Sequence, residues 1–256
     1  MTMGTGAITA YIDVAQIVLY IFWIFFFGLV VYLVQEGKRE GFPLESDRKD
    51  YAVIEGWPRV PAPKTFRMAD GSEFTAPHSR DQAAPALAAR RVGNYPGSPI
   101  EPTGNPMVDG IGPAAWTARS DHADLMLDGS VKIQPLRSAS GYSVSINDVN
   151  PIGLDCIGHD DVSAGKVVDL WVDQAEMLFR YIEVELHQGK RILVPMPFAR
   201  VTKHHVKVHA ILGSQFAEVP TTKRSDQVTL LEEDKIAGYF GGGRLYATPD
   251  RQEPLL

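Results

Sequence analysis

The sequence predicts a single membrane-spanning α-helix followed by a mainly-β domain, with an extended, proline-rich segment between them. Three observations carry this. The 21 residues from Val14 to Val34 hold no charge. All 18 prolines and most of the 23 glycines follow that run, which makes continuous helices rare in the remainder. From Gly165 to Leu212 the chain alternates apolar and polar residues in short runs rich in β-branched and aromatic side chains.

The apolar run sets the first element. As an α-helix it extends about 31 Å, which matches the roughly 30 Å of a bilayer's hydrocarbon. Gln16 is its one strongly polar side chain, and it has no polar face. A soluble amphipathic helix needs such a face. Asp13 is the only charged side chain before the run, whereas Lys38, Arg39, Arg48 and Lys49 follow it. The positive-inside rule then puts residues 1–13 outside and the body in the cytoplasm. Tyr11 and Tyr32 lie near the two ends, where amphipathic rings suit the interface. A cleaved signal peptide needs positive charge before a shorter apolar run, and small residues at a cleavage site. Gln35-Glu36-Gly37-Lys38 does not supply one. Lys38 and Arg39 stand at the level of lipid phosphates and are the candidate headgroup contacts.

Residues 35–106 read as a surface segment. Charges of both signs crowd residues 36–50, where Gly41 and Pro43 end any helix. Residues 51–107 carry Pro58, Pro61, Pro63, Pro77, Pro85, Pro96, Pro99, Pro102 and Pro106. Only short alternations such as Thr65-Phe66-Arg67-Met68 suit strands. Trp57, Phe66, Phe74, Leu87, Tyr95 and Ile100 are side chains that disordered linkers lack. The segment is therefore expected to be ordered, extended and laid along a partner.

A globular region is expected from 107 to about 250, with a frayed end at 251–256. Gly110, Gly112, Pro113 and Trp116 suggest a tight loop, and Val131–Leu136 a short strand. Lys166–Asp173 reads as a strand, and Gln174–Arg180 as a short helical turn. Tyr181–Leu186 reads as a half-buried strand, His187–Lys190 as a turn, and Arg191–Met196 as the returning strand of a hairpin. His205–His209 alternates again. Strands at this spacing suggest a small antiparallel barrel or sandwich. Thr229–Gly238 reads as a short helix before a glycine-rich end at Gly241-Gly242-Gly243.

The chemistry is sparse. Beyond the span, 25 Lys and Arg stand against 30 Asp and Glu, a balance of −5 that argues against nucleic acid as partner. Cys156 is the only cysteine, so no intrachain disulfide forms. Nucleophile-elbow, P-loop and dinucleotide fingerprints are lacking. His204, His205 and His209 are the best metal candidates, but Lys207 shares a strand face with His205 and His209 and opposes a cation there. No metal site is expected. Asp173, Glu176 and Arg180 share a face on a helical turn, either as a surface ion pair or as coupled groups that carry protons.

Many short motifs, taken together and in order, resemble the H subunit of the purple-bacterial photosynthetic reaction centre from residue 7 to about 248. They include YID (11–13), FWIF (22–25), REGFPLE (39–45), PKTF (63–66), TGNPM (103–107) and DGIGPAAW (109–116). NPIGL (150–154), AGKVVDLWVD (164–173), EVEL (183–186) and TLLEEDKI (229–236) follow. The resemblance implies a small antiparallel reaction-centre-type β-barrel and a non-enzymatic subunit in the bacterial photosynthetic membrane. It implies that the chain itself binds no cofactor. It caps the L and M subunits of a complex that carries bacteriochlorophyll, bacteriopheophytin, quinones and a non-haem iron. Antenna polypeptides, a cytochrome subunit and membrane lipids are the wider partners. It also implies a proton route to the secondary quinone through an Asp-x-x-Glu-x-x-x-Arg pattern, matched here by Asp173, Glu176 and Arg180. At the mouth of that route the family has an Asp followed by two histidines. The corresponding Asp128-Gly129-Ser130-Val131-Lys132 is two residues shorter and has no histidine, which leaves Asp128, with His122 as a substitute six residues earlier. The alternative function is a membrane-anchored barrel protein for assembly or regulation.

Overall fold

The computed structural model describes residues 8, 12–45, 53–78, 86–95 and 97–252. Tyr11, Arg48, Lys49, Pro85, Pro96 and residues 253–256 of the expected frayed end lie outside these. By its internal contacts the chain divides into one unit of residues 1–86 and 93–98 and another of residues 87–92 and 99–256.

In the first unit, α1 (Val14–Glu36) contains the expected run and adds two residues at its C-terminal end. Asp13 caps it: its side chain accepts the Gln16 backbone N–H at 2.8 Å, and the Gln16 side chain accepts the Asp13 N–H at 3.3 Å. The one polar side chain of the run thus completes a capping box and satisfies N–H groups that the helix leaves open. No residue of α1 is buried. A single 3-10 turn, Gly37–Arg39, follows. The segment beyond it is more regular than its prolines suggest. β1 (Leu44–Glu45) pairs with β2 (Val53–Ile54), and β3 (Lys64–Arg67) with β4 (Glu73–Ala76). In the second hairpin Phe66 stands opposite Phe74, and the Thr65 and Thr75 hydroxyls lie 3.0 Å apart. Cross-strand pairs of this kind stabilise a ladder that propensity alone does not predict.

The second unit opens with β5 (Ala89–Arg91) paired to β6 (Ile100–Pro102). α2 (Pro106–Asp109) is capped by the Asn105 side chain and closed by Gly110 at φ 68°, a backbone state that suits glycine. A 3-10 turn, Gly112–Ala114, completes the expected tight loop. The sheet contains β7 (Ile133–Pro135), β8 (Asp155–Ile157), β9 (Ser163–Asp173), β10 (Leu178–Leu186), β11 (Arg191–Pro195), β12 (Ala199–Val201) and β13 (His205–Val208). Its order is β11-β10-β9-β8-β13-β12, and β7 also pairs with β9. Every pair is antiparallel except β13 with β8, which runs parallel. β11 and β12 end the order, yet one 3-10 turn, Met196–Phe198, joins them. So short a link spans little, so the sheet must curl until its ends approach. The result is the curled half-barrel of a mainly-β domain.

Two sequence readings need correction here. Gln174–Arg180 is not helical: residues 174–177 form the turn between β9 and β10, with Met177 at φ 54°. The helix near the C-terminus does not stop before the glycines. α3 (Leu230–Tyr246) runs through Gly238, Gly241, Gly242 and Gly243. Its Ile236, Tyr239 and Phe240, at helical spacing, join the sheet residues Ile182, Val184 and Val206 in one core. The glycines let the backbone approach its neighbours. A Cβ on Gly238 falls 2.7 Å from the Ala114 carbonyl oxygen, and one on Gly243 falls 2.6 Å from that of Ala210. Packing outweighs the helix-propensity cost of about 1 kcal/mol per glycine.

Gly242→Ala is therefore expected to lower the thermal unfolding midpoint, because the new methyl lands 2.5 Å from the Ala114 Cβ. Overpacking of this kind costs about 1–3 kcal/mol. Gly241→Ala meets only the Pro113 carbonyl oxygen at 3.0 Å and regains helix propensity, so it should be nearly neutral. Equal midpoints for both variants and the parent would show that close approach is not the reason for the glycines.

Candidate functional site

Asp173 ends β9, and its side chain has no exposed surface. One carboxylate oxygen accepts the backbone N–H groups of Ala175 at 3.0 Å and Glu176 at 3.1 Å, which folds the turn back on the strand. The other accepts the Arg180 Nε–H at 3.1 Å. The Arg180 Nη2 donates to Glu176 at 2.9 Å. One guanidinium therefore bridges a buried carboxylate and one that is 49% exposed. A β-bulge makes this possible. Phe179 pairs with Val172 and Tyr181 with Trp171, so Arg180 is the extra residue on its strand. A bulge turns a side chain out of the regular alternation.

The site is wider than the three residues picked from the sequence. The Lys132 ammonium lies 3.9 Å from Asp173 and 3.2 Å from Asp124. Gln174 fastens the two turns together: its backbone N–H donates to the Lys132 carbonyl at 3.0 Å and its side chain to that of Val131 at 2.8 Å. The Tyr181 hydroxyl, next in β10, donates to Glu233 of α3 at 2.7 Å. Burial pushes the Glu233 carboxyl above its usual range, against the Tyr181 hydrogen bond and the charges of Arg180, Arg119 and Lys132. Burial also opposes the charge on Arg180, but the Asp173 hydrogen bond and nearby carboxylates outweigh it and raise its pKa. Four carboxylates, Asp124, Asp173, Glu176 and Glu233, thus surround two cations. Asp124 and Glu233 escaped the sequence reading because each lies far along the chain from Asp173.

Asp128 is not joined to this set among the described residues. Its carboxylate accepts from the Ser130 hydroxyl at 2.6 Å and the Ser130 N–H at 2.9 Å, which holds its pKa below the usual value. It sits at the tip of the turn that supplies Asp124. Lys38 and Arg39 are drawn inward. The Lys38 ammonium donates to the carbonyls of Glu55 at 2.8 Å and Pro58 at 2.6 Å, and stands 5.2 Å from the Phe42 ring centroid. Arg39 grips Glu36 with two hydrogen bonds and reaches the Ala62 and Ala76 carbonyls at 2.7 and 3.2 Å. The geometry thus gives both cations a clasp between the end of α1 and the coil that follows.

A second charged cluster lies inside the sheet. Asp169 and Glu183 face each other across β9 and β10. The Arg137 Nη1 bridges them at 2.8 and 2.5 Å, and the Trp171 indole donates to Glu183 at 2.9 Å. The alternation in Tyr181–Leu186 predicts an outward Glu183, but this residue is 3% exposed because Arg137, Trp171 and Arg191 enclose it. Among the described residues no group of three or more His, Cys, Asp or Glu is placed to hold a metal ion. Lys207 is buried and engages Asp161 and the His159 carbonyl, so it separates His205 from His209 as the sequence suggested.

Two family models match the chain. The first, the photosynthetic reaction centre H-chain N-terminal region, covers residues 6–138, and the PRC-barrel domain covers residues 144–215. The chain belongs to the reaction-centre H-chain family. The match favours a reaction-centre subunit over a membrane-anchored barrel protein for assembly or regulation. Together with the one helix, among the described residues, that is long and apolar enough to cross a bilayer, it points to a single-pass membrane protein. The H-chain region holds α1, the clasp of Lys38 and Arg39, and the turn of Asp124 and Lys132. The barrel region holds Asp173, Glu176 and Arg180, whereas Glu233 lies beyond both matches.

Two outcomes are expected from this geometry. A carboxyl with a raised folded pKa keeps its proton longer in the folded state, so stability falls as pH rises from the unfolded value through the folded one. Glu233 should contribute such a fall above its ordinary value of 4.5. Glu233→Gln should flatten it in urea titrations of the full chain at several pH values. An unchanged slope would show that Glu233 is not held protonated. In the first unit, Lys38→Met should expose the Val60 amide, which donates to Glu55 beside the clasp, and speed its hydrogen exchange by roughly tenfold. Unaltered exchange would remove the clasp role from Lys38.

Proposed function

We propose that this reaction-centre subunit caps the L and M subunits on the cytoplasmic side and passes protons toward the secondary quinone, with no enzymatic chemistry of its own. The observation that carries this reading is the Arg180 bridge from exposed Glu176 to fully buried Asp173. A quinone reduced twice takes up two protons, and a buried site needs polar groups to bring them in. Asp128 and Asp124 offer the outer steps, Lys132 holds Asp124 against Asp173, and Glu233 supplies a carboxyl that takes a proton readily. Arg180 stays charged between its two carboxylates.

The surroundings support a covered site. Leu125, Leu127, Met177 and Leu178 are exposed on the two turns that carry these groups. Exposed apolar side chains around a polar centre fit an interface that excludes water once a partner is seated. In this reading the L and M subunits hold the pigments, quinones and iron, and antenna and cytochrome polypeptides are more distant neighbours. The cations that follow α1, with none before it, favour a periplasmic N-terminus and a cytoplasmic barrel. The hydrogen-bond partners of Lys38 are neutral carbonyls rather than carboxylates, so lipid phosphates remain a fitting neighbour at that level.

Flash kinetics on reaction centres carrying variant chains test the proposal. Glu176→Gln should slow the second electron transfer to the quinone, which waits for a proton, by about tenfold or more. It should spare the first charge separation, which needs none. Asp173→Asn should act in the same direction, and the double variant should lose less than the product of the two effects if both serve one path. A normal second transfer in the double variant would return these residues to a purely structural ion pair.

A further inference from the structure

A third group of charged side chains, all outside the relay, surrounds an open hollow of about 430 Å3. Arg200 comes from β12, His209 from just past β13, Arg244 from the last turn of α3, and Arg251 from the 3-10 turn Pro249–Arg251. Phe198 and Ala199 supply an apolar wall. Arg251 is held in place: its Nη1 donates to the Ala210 and Gly243 carbonyls at 2.9 and 2.8 Å, and its Nη2 to the His209 carbonyl at 2.9 Å. Of the five guanidinium N–H groups, the Nε–H and one Nη2–H remain for another partner. Arg244 lies 5.1 Å from the Phe198 ring centroid, which fixes its plane without neutralising it.

These cations lack matching anions. Among the described residues none of the three guanidinium groups forms an ion pair with a carboxylate. Asp161 is taken by Lys207, and Asp250, although Arg251 lies close enough to lower its pKa, forms no ion pair with it. The His209 imidazole senses the excess: burial, then Lys207, His159, Arg200 and Arg251, lower its pKa. Its ring nitrogens offer a further hydrogen bond. Cations near a helix C-terminus are commonly there for the helix dipole, and the Gly243 carbonyl explains the place of Arg251 in that way. The dipole does not explain Arg200 or His209, which the sheet brings to the same hollow.

We propose that this hollow binds a phosphate-bearing anion, carried on a lipid headgroup or free in solution. Guanidinium forks approaching from three elements suit a tetrahedral phosphate oxyanion better than a planar carboxylate, which one fork already satisfies. Arg251, fixed by its three carbonyl hydrogen bonds, lines one side, and exposed Arg200 and Arg244 line the others. The proposal does not depend on the proton relay.

Arginine labelling with phenylglyoxal, read by mass spectrometry, tests it on the full chain in nanodiscs. The reference arm uses phosphatidylcholine alone, the second adds inorganic pyrophosphate, and the third replaces part of the lipid with phosphatidylglycerol. Labelling of Arg200 and Arg244 should slow roughly tenfold in the second or third arm, as expected when a guanidinium gains a charged hydrogen-bond partner. Arg224, already paired with Asp226, should change little. Protection by pyrophosphate marks a free anion, and protection by phosphatidylglycerol marks a headgroup. In the arm that protects, Arg200→Gln should raise the half-protecting concentration for Arg244 by roughly tenfold. No protection in either arm, equal protection of Arg224, or an unchanged half-protecting concentration would overturn the proposal.

Discussion

Asp173 is a carboxylate without exposed surface, and an ion so placed must be met inside the protein by hydrogen bonds and opposite charge. Much of the second unit's architecture near it meets that demand. The turn after β9 points two N–H groups at one oxygen. The bulge in β10 frees Arg180 to reach the other. The loop before β7 brings Lys132 within 3.9 Å, and β7 pairs beside Asp173 through Ile133. Removing any one of these leaves a buried charge short of partners, so local backbone geometry and local electrostatics specify each other.

The same logic recurs at Asp169 and Glu183. Two like charges directly opposite in a ladder repel, and the pair survives because Arg137 enters between them. A one-residue slip of β10 against β9 would turn Glu183 to the other face and leave Arg137 and Trp171 without their acceptor. The buried ions thus fix the register of the central hairpin as firmly as its apolar core does. The two clusters differ in what they can reach. Arg180 connects a buried group to an exposed one, whereas Arg137 joins two groups that are both inside.

Close approach is the other theme. α3 needs three of its four glycines, Gly238, Gly242 and Gly243, because Ala114, Ala210 and Ile211 occupy the space of a Cβ. In the first unit, charge rather than glycine holds the chain close. Lys38 and Arg39 collect carbonyls from Glu55, Pro58, Ala62 and Ala76, stretches whose prolines cannot supply a continuous ladder. Side-chain donors take over the work that strand N–H groups do elsewhere.

Sequence by itself determined the membrane span, the main hairpin and the kind of domain. Each depends on neighbours in the chain: an uninterrupted apolar run for α1, alternation and Gly189 for the β10–β11 hairpin, prolines against long helices. It also singled out Asp173, Glu176 and Arg180, but for the wrong local geometry, since helical spacing was taken where a turn and a bulge do the joining. Only the tertiary structure decided that Asp124 and Glu233 accompany them, that Glu183 points inward, and that α3 continues through its glycines. The physical reason is range. Periodicity records which face an element buries, and it does so within a few residues. A buried carboxylate's partners, or the carbonyl that excludes a Cβ, come from stretches dozens of residues away, and only packing and strand register bring them within reach.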